Sequence, residues 1–359
     1  MRTVDFDFVL PQELIAQHPS PERGQSRLLV LDRNLRRIEH KFFSDLADFL
    51  RAGDVLVLND SRVIPARLRG TNATTGGGFE ILLLEENEAN DWWAMVRPGR
   101  NARIGTGINI VQPRSVREEA MVTAIVMEKN PEGHCRLRFS AGEDIKQWLE
   151  ALGEVPLPPY IARGKDRLPE DKERYQTVFA RNDGSVAAPT AGLHFTDALL
   201  DKIRKIGVTV CFVTLHVGPG TFLPVKAPEL SGHNMHEERF ALGEETVRAV
   251  NEAKKSSARV FAAGTTTVRV LESVAARNAG KLNVYTGKTS IFIFPPYQFK
   301  IVDALVTNFH LPCSTLLMLA SAFATPGETR GREMMLNAYA EAIRERYRFY
   351  SYGDAMLII

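Results

Sequence analysis

The second half of the chain repeats one hydrophobic pattern four times, in which a short apolar run is followed by a polar loop. Two of the runs, 208–215 and 260–263, have the composition of buried strands. The loops are rich in Gly, Thr, Asn and His, and they occupy residues 189–194, 216–221, 264–267 and 308–312. Loops beyond the carboxyl ends of strands in an open α/β sheet converge on one crevice, where small molecules bind. The pattern therefore indicates an enzyme.

A different pattern occupies the middle of the chain, where short apolar runs follow one another without helical periodicity between them. Turn-forming Gly, Pro and Asn residues separate these runs, which are 79–84, 92–96, 108–111, 122–127 and 135–139. Short strands at this spacing predict a small antiparallel β-barrel.

Strands and helices alternate on both sides of this segment, which is typical of a three-layer α/β domain. A short helix is predicted at 12–16, a strand at 28–31, a helix at 44–50 and a strand at 55–58; later helices are predicted at 143–152, 197–206, 244–255, 266–277, 314–324 and 332–347. We therefore expect an α/β catalytic domain of residues 1–65 and 155–359, with an inserted β-barrel domain of residues 66–154.

Composition restricts the class of protein. The 359 residues suggest about two domains, and 44% hydrophobic with 25% charged residues is ordinary for a globular protein. Asp5, Asp7 and Glu13 interrupt the start of the chain, so neither a signal peptide nor a membrane span is expected. Three widely spaced cysteines predict neither a disulfide framework nor a metal knuckle. These features favour a cytoplasmic protein.

Positive charge is concentrated although the net charge is only +2. Residues 92–117 contain no acidic side chain and five arginines, namely Arg97, Arg100, Arg103, Arg114 and Arg117. A second cluster comprises Arg62, Arg67 and Arg69. Such clusters bind phosphates in nucleic-acid-binding proteins, but they also occur on solvated strand faces, and charge patterning alone leaves both interpretations open.

Two glycine-containing loops have different significance. Gly105-Thr106-Gly107 lacks a third glycine and precedes a strand, so it does not predict a nucleotide site. Gly264-Thr265-Thr266-Thr267 follows a strand and begins a helix, which suits a carboxylate or ribose hydroxyls. The alternative to ligand binding is a purely structural role, in which a threonine caps the start of the helix.

Histidines supply the candidate acid–base chemistry. His194, His216 and His310 each lie in one of the four loops, and we expect at least one to be a general acid or base. The sequence leaves open which one. His233 and His236 have helical spacing, but no third ligand motif accompanies them, so we expect no metal. The tail 346–354 mixes cations with aromatic rings, which is typical of a packed edge strand or of a pocket for a base or a sulfonium.

Six segments together resemble the S-adenosylmethionine:tRNA ribosyltransferase-isomerase family of the queuosine pathway. The resemblance extends from Asp5 to Asp354, and its segments are DFDFVLP (5–11), LNDSRVIPAR (58–67), APTAGLHFT (188–196), LHVGPGTF (215–222), AGTTTVR (263–269) and TNFHLP (307–312). The resemblance implies an α/β domain plus a β-barrel. It also implies transfer and isomerisation of the ribosyl moiety of S-adenosylmethionine onto 7-aminomethyl-7-deazaguanine (preQ1) at the tRNA wobble position. Epoxyqueuosine-tRNA, adenine and methionine would be the products.

This reaction suggests roles for the candidate residues. A base beside the sulfonium is expected among His194, His216 and His310, and a second histidine or Asp60 would protonate the departing adenine. The residues expected to bind S-adenosylmethionine are Thr190, Gly218, Gly220, Thr221, Gly264, Thr265, Thr266 and Asn308. Phosphates of the tRNA anticodon stem-loop would contact Arg62, Arg67, Arg97, Arg100 and Arg103. We expect a monomer that uses S-adenosylmethionine as a consumed ribosyl donor and needs no metal.

Two rival functions stay open at this point. A tRNA methyltransferase would also use S-adenosylmethionine, but the chain lacks the glycine-rich loop that such enzymes carry. A non-catalytic RNA-binding protein would not need histidines in convergent loops. The small-molecule products distinguish the three.

Overall fold

A computed structural model describes residues 1–112, 122–140, 142, 144–163, 170–218, 220 and 225–359. The chain divides into two compact units. The sheet unit comprises Met1–Arg62, Pro158–Asn182 and Ala188–Ile359, and the barrel unit comprises Val63–Leu157 and Asp183–Ala187. The domain limits at residues 66 and 154, and the assignment of catalysis to the larger part, stay predictions.

The sheet unit is built on a nine-stranded mixed sheet. In spatial order its strands are β15 (Tyr285–Thr289), β13 (Glu238–Leu242), β12 (Thr209–Leu215), β3 (Val55–Asn59), β14 (Val260–Ala263), β16 (Ala304–Asn308), β17 (Ala355–Ile358), β1 (Arg27–Asp32) and β2 (Arg37–Phe42). The adjacent strands β12, β3, β14 and β16 run parallel. Every residue of β3, β14 and β16 is buried, as expected for central strands covered on both faces. Their carboxyl ends therefore share one edge of the sheet.

The long helices follow the hydrophobic periodicity closely. They are α3 (Asp197–Lys205), α4 (Glu244–Lys255), α5 (Thr265–Arg277), α6 (Thr315–Ala324) and α7 (Gly331–Arg344). Gly207, just after α3, has a φ of +96°, a left-handed conformation that favours glycine at a helix end. None of the helices in the described residues combines the length and the apolar character that crossing a membrane requires.

The short segments predicted to be α-helices are wholly or partly 3₁₀ turns, so their predicted helix type was wrong. The helices expected at 12–16 and 44–50 are 3₁₀ turns, Gln12–Leu14 and Phe43–Phe49. The helix expected at 143–152 is a 3₁₀ turn, Ile145–Trp148, followed by α1 (Leu149–Leu152). Segments this short gain few i to i−4 hydrogen bonds, so tertiary contacts decide their geometry. Other short elements are α2 (Asp171–Arg174) and 3₁₀ turns at Thr3–Phe6, Gly99–Asn101, Thr190–His194 and Leu230–Gly232.

The barrel unit contains a closed six-stranded antiparallel barrel. In spatial order its strands are β10 (Cys135–Ser140), β7 (Asp91–Arg97), β6 (Gly78–Glu88), β5 (Arg67–Asn72), β8 (Gly107–Val111) and β9 (Val122–Lys129). Apolar side chains such as Leu68, Ile81 and Leu137 fill it. A Cβ on Gly70 would lie 2.6 Å from a methyl group of Ile108, so this position requires glycine. Two further strands, β4 (Ser61–Val63) and β11 (Asn182–Ser185), form a separate two-stranded sheet.

The predicted fold class, an α/β three-layer domain plus an inserted antiparallel barrel, is confirmed.

Candidate active site

Asn59, the last residue of β3, connects three elements at the carboxyl edge of the parallel strands. Its Nδ2 donates to the carbonyl oxygen of Leu215 at 3.0 Å and to Oγ1 of Thr266 at 3.2 Å. Its Oδ1 accepts from the Leu215 N–H at 3.0 Å. Asn59 is buried, so these bonds satisfy a side chain that water does not reach. They hold the end of β12 beside the start of α5.

The loop at Gly264 is packed from both sides. Gly264 has a φ of +91°, and a Cβ there would lie 3.8 Å from the Cβ of Ala191. The loop 264–267 is therefore next to the loop 189–194, which contains Thr190. Thr265, Thr266 and Thr267 are buried, and Oγ1 of Thr267 donates to the Ala263 carbonyl at 2.8 Å. The hydroxyl of Thr267 thus has a structural role, while the first-turn N–H groups of α5 point toward the edge.

His194 connects the first and the fourth loop. Its Nε2 accepts from Nδ2 of Asn308 at 3.1 Å, and its Nδ1 is 2.9 Å from Oγ of Ser26. The ring packs on Phe43 with centroids 5.0 Å apart. Burial, followed by the charges of Arg348 and Arg23, lowers the pKa of His194 to about 3. The imidazole is therefore neutral at physiological pH.

His310 is equally buried, in the loop that follows β16. Its Nε2 is 2.8 Å from Oγ1 of Thr307, and its backbone N–H donates to the hydroxyl of Tyr339 at 2.9 Å. Burial lowers the pKa of His310 to about 3. Thr307 at the end of β16 and Tyr339 of α7 thus hold this histidine in place.

His216 differs from the other two histidines because it is only half-buried. It follows β12 directly, and its Nδ1 is 2.8 Å from Oγ of Ser61. Its backbone N–H donates to the carbonyl of Arg239 at 3.0 Å, which fixes its position at the edge of the sheet. A half-buried imidazole with an oriented ring has the exposure that contact with a substrate requires.

Asp60 follows β3 and is buried. Its Oδ1 accepts from the Thr214 hydroxyl at 2.7 Å and from Nδ2 of Asn182 at 3.0 Å. These two hydrogen bonds tie Asp60 to its neighbours in the sheet unit.

Gly218 in the second loop is held by a buried ion pair that sequence reasoning missed. The Gly218 N–H donates to Oε1 of Glu238 at 3.0 Å, and Oε2 of Glu238 accepts from Nη1 of Arg269. Glu238 and Arg269 are 6% and 3% exposed. A Cβ on Gly220 would lie 2.4 Å from the ring of His236, so a larger residue there would require that exposed ring to move. Thr221 lies outside the described residues.

A signal for this pair existed in the sequence. Arg269 is a charged residue within an apolar stretch of α5, and a charge at a buried helical position demands a partner. The partner, Glu238, lies on the strand β13, 31 residues earlier in the sequence, and no local pattern reveals this pairing.

The predicted phosphate-binding arginines do not share one environment. Arg67 is half-buried, and its Nη2 donates to the Leu157 carbonyl at 3.1 Å within the barrel unit. Arg62 is exposed on β4. Arg97, Arg100 and Arg103 are exposed along one segment of the barrel unit, and none forms a salt bridge with a described acidic residue. Arg114 and Arg117 lie outside the described residues.

Within the described part of the chain, no group of three or more His, Cys, Asp or Glu side chains is placed to hold a metal ion. His233 packs its ring against Phe292, with centroids 5.1 Å apart, and Glu238 is occupied by Arg269.

Comparison with known proteins agrees with these features. An S-adenosylmethionine:tRNA ribosyltransferase-isomerase of Clostridioides difficile (strain 630) is 48% identical over 358 residues and covers all of both chains. One of Desulforamulus reducens is 48% identical over 359 residues, again with full coverage of both. The crystal structure of an S-adenosylmethionine tRNA ribosyltransferase from Thermotoga maritima has a TM-score of 0.55 and 39% identity, over 99% of this chain and 100% of that one.

The family described as queuosine biosynthesis protein matches residues 3–358, almost the full length of the chain. The match includes all four loops at the carboxyl edge of the sheet and the whole barrel unit. The chain therefore belongs to the queuosine biosynthesis protein family.

Proposed function

We propose that this chain transfers and isomerises the ribosyl moiety of S-adenosylmethionine onto preQ1 at the wobble position of tRNA. The products are epoxyqueuosine-tRNA, adenine and methionine. One observation carries the proposal: the loops that distinguish this family lie together at one edge of the sheet, joined by the Asn59–Thr266 and Asn308–His194 hydrogen bonds. A methyltransferase has no comparable support, because both relatives described above are named for ribosyl transfer.

S-adenosylmethionine binds, in this proposal, along the edge formed by Thr190, Gly218, Gly220, Gly264 and Thr265. The first-turn N–H groups of α5 carry a partial positive charge and donate to ribose hydroxyls. Asn308 adds an acceptor, because its Oδ1 is buried and has no hydrogen-bond partner among the described residues. A buried, unpaired acceptor is costly, and a ribose hydroxyl would satisfy it.

We assign the proton transfers to His216. The sulfonium acidifies the adjacent ribose carbon, so a positioned base can remove a proton there. His216 is half-buried beside the loops, whereas His194 and His310 are buried. The imidazolium that forms can then protonate the departing adenine. Asp60 is given a positioning role instead, because its Oδ1 is already bonded to Thr214 and Asn182.

The RNA contacts are assigned to the barrel unit and to Arg62. Arg97, Arg100 and Arg103 are exposed and have no described acidic partner, so their charges are available to phosphates. Arg67 has a supporting role, because its guanidinium is bonded to a carbonyl of the barrel unit. The wobble base is single-stranded, so it can be turned out of its stack and held against an aromatic ring.

Product analysis tests this function. The protein is incubated with S-adenosylmethionine and tRNA that carries preQ1, and the small molecules are identified by mass spectrometry. We expect adenine and methionine in equal amounts, and neither with a control tRNA that carries unmodified guanine. Stoichiometric S-adenosylhomocysteine without adenine would establish a methyltransferase instead, and intact S-adenosylmethionine would indicate a binding protein.

A further inference from the structure

A small cavity lies next to His194 in the sheet unit, on the side of Ser26. Residues 19–26 form one wall of the cavity, and residues 351–353 form another. The lining side chains that carry the argument are Ser20, Glu22, Arg23, Arg174, His194 and Tyr352. Leu193 and His194 of the first loop line this cavity, but the roles assigned so far do not account for it.

Two arginines of the cavity are fixed by main-chain carbonyl groups rather than by acids. Arg23 donates to the carbonyl oxygens of Leu193 at 3.2 Å and Glu173 at 2.8 Å. Arg174 donates to the carbonyl oxygen of Pro21 at 3.1 Å. Carbonyl groups orient a guanidinium without neutralising its charge, so both arginines keep a full positive charge in a fixed position.

A third arginine adjoins the first two. Nη2 of Arg348 donates to Oγ of Ser20 at 2.5 Å, and it lies 3.6 Å from a carboxylate oxygen of Asp354. Asp354 also accepts from the N–H groups of Arg27 and Arg348, so its charge is shared among several donors. Asp354 forms a salt bridge with Arg348, and the charge of Glu173 favours the charged form of Arg23, while no salt bridge to a described acid is formed by Arg23 or Arg174.

Two further observations concern the charges of Arg23 and Arg174. Burial, and then the charge of Arg174, lowers the pKa of Arg23, so the two guanidinium groups repel each other in a partly desolvated space. Nε of Arg174 is buried and has no hydrogen-bond partner among the described residues. An anion would remove both penalties.

We propose that this cavity binds the carboxylate of the amino-acid end of S-adenosylmethionine, between Arg23 and Arg174. The assignment rests on the function proposed above. Glu22 lines the same cavity and bonds to Nε2 of Gln25 at 2.6 Å, so a carboxylate is present there for the ammonium group of the amino acid. The amino-acid end of the ligand is a zwitterion. Guanidinium groups of the protein are complementary to its carboxylate, and a carboxylate of the protein is complementary to its ammonium group.

The position beside His194 favours the small molecule over an RNA phosphate. Asn308 contacts Nε2 of His194 and is the acceptor that we assign to the ribose, whereas Ser26 contacts Nδ1 and lines the cavity. The ribose and the carboxylate thus lie on opposite sides of one imidazole ring. RNA phosphates have the exposed arginines of the barrel unit as partners.

A double-mutant cycle between protein and ligand tests the assignment. Binding of S-adenosylmethionine and of its decarboxylated analogue is measured by calorimetry with the wild-type protein and with Arg23→Gln and Arg174→Gln. Glutamine removes the charge but keeps an N–H donor for the carbonyl partner. We expect each variant to bind S-adenosylmethionine about tenfold to a hundredfold more weakly and to bind the decarboxylated analogue as the wild type does.

Arg33→Gln is the matched control, because Arg33 also donates to two carbonyl groups but lies outside the cavity. Equal weakening of both ligands by the cavity variants would overturn the assignment, as would normal S-adenosylmethionine binding combined with weaker tRNA binding. If either of these results is obtained and the wild type still releases adenine and methionine, only the cavity assignment fails. If the carboxylate coupling is present but no adenine is released, the proposed reaction fails and the binding site stands.

Discussion

The side-chain amide of Asn308 donates to Nε2 of His194 at 3.1 Å, and this bond determines which nitrogen of the histidine carries the proton. With Nε2 as the acceptor, Nδ1 carries the proton and donates to Ser26 at 2.9 Å. Both ring nitrogens are therefore engaged in a buried setting that favours the neutral ring. This arrangement suits a residue that positions loops better than a base that must reach a substrate.

The first prediction separates the two histidines by substitution with glutamine. We expect His216→Gln to lower kcat by about 100-fold, the scale of losing a general base, with little change in thermal stability. His194→Gln should lower thermal stability, because it disturbs a buried residue with two hydrogen bonds and a ring contact. Single-turnover adenine release and thermal melting measure the two effects.

From sequence alone, His194→Ala is expected to lower turnover by about 100-fold with unchanged stability. The burial of His194 changes the second half of that expectation. His194→Gln with normal stability and a 100-fold loss of kcat would return the role of base to His194.

The second prediction concerns the exposed arginines of the barrel unit. Replacing Arg97, Arg100 and Arg103 with Ala should weaken tRNA binding and flatten its dependence on salt. Each lost phosphate contact changes the slope of log K against log salt by roughly 0.7 to 0.9. Filter binding at several salt concentrations measures the slope.

The matched control replaces three exposed arginines of the sheet unit that already have acidic partners, namely Arg37, Arg204 and Arg344. The control should leave the slope close to that of the wild type, because these charges are locally neutralised. Equal slopes for both triple variants would assign Arg97, Arg100 and Arg103 to an ordinary solvated surface.

Much of the fold follows from local pattern. The strand at 260–263 and the helix at 244–255 are present with the predicted limits. Each carries a periodicity long or apolar enough to outweigh other conformations. The strand β5 was not singled out, because Gly70 and exposed Arg69 weaken its alternation, and its position depends on pairing with β6 and β8. Strand pairing is non-local, so a single sequence does not reveal it.

The sequence indicates candidate site residues only through local pattern, and their roles stay predictions. His194, His216 and Gly264 were singled out because polar residues follow apolar runs there. The two arginines that line the cavity, Arg23 and Arg174, were not singled out, because they are 151 residues apart in sequence and only the fold brings them together. Counting charged residues in a window of the sequence does not detect a cluster whose members are so far apart in the chain.

The third prediction concerns the buried pair of Glu238 and Arg269. Either Glu238→Gln or Arg269→Met leaves one member of the pair without its buried partner, which costs about 3–5 kcal/mol of unfolding free energy. The double variant should be less destabilised than the sum of the two, since neither charge then lies unpaired. Urea denaturation of all four proteins measures the coupling. Additive losses would show that the pair contributes no interaction of its own.

The last prediction is a loss of stability in mild acid. The pKa values of His194 and His310 are lowered by burial from 6.5 to about 3, so the unfolded chain binds protons at a higher pH than the folded protein does. The stability that the neutral rings provide is fully present above about pH 6.5 and is lost as pH falls toward 3.

Within that window each of these histidines contributes a slope of about 1.4 kcal/mol of unfolding free energy per pH unit. Urea denaturation between pH 7.5 and 5 measures the total slope. His310→Gln removes one titrating ring, and the amide of the new glutamine can still bond to Thr307. The variant should therefore have a slope that is smaller by about 1.4 kcal/mol per pH unit, which corresponds to one proton. The same slope in wild type and His310→Gln would mean that His310 takes up its proton in the folded protein, and its buried setting would then not be the source of acid sensitivity.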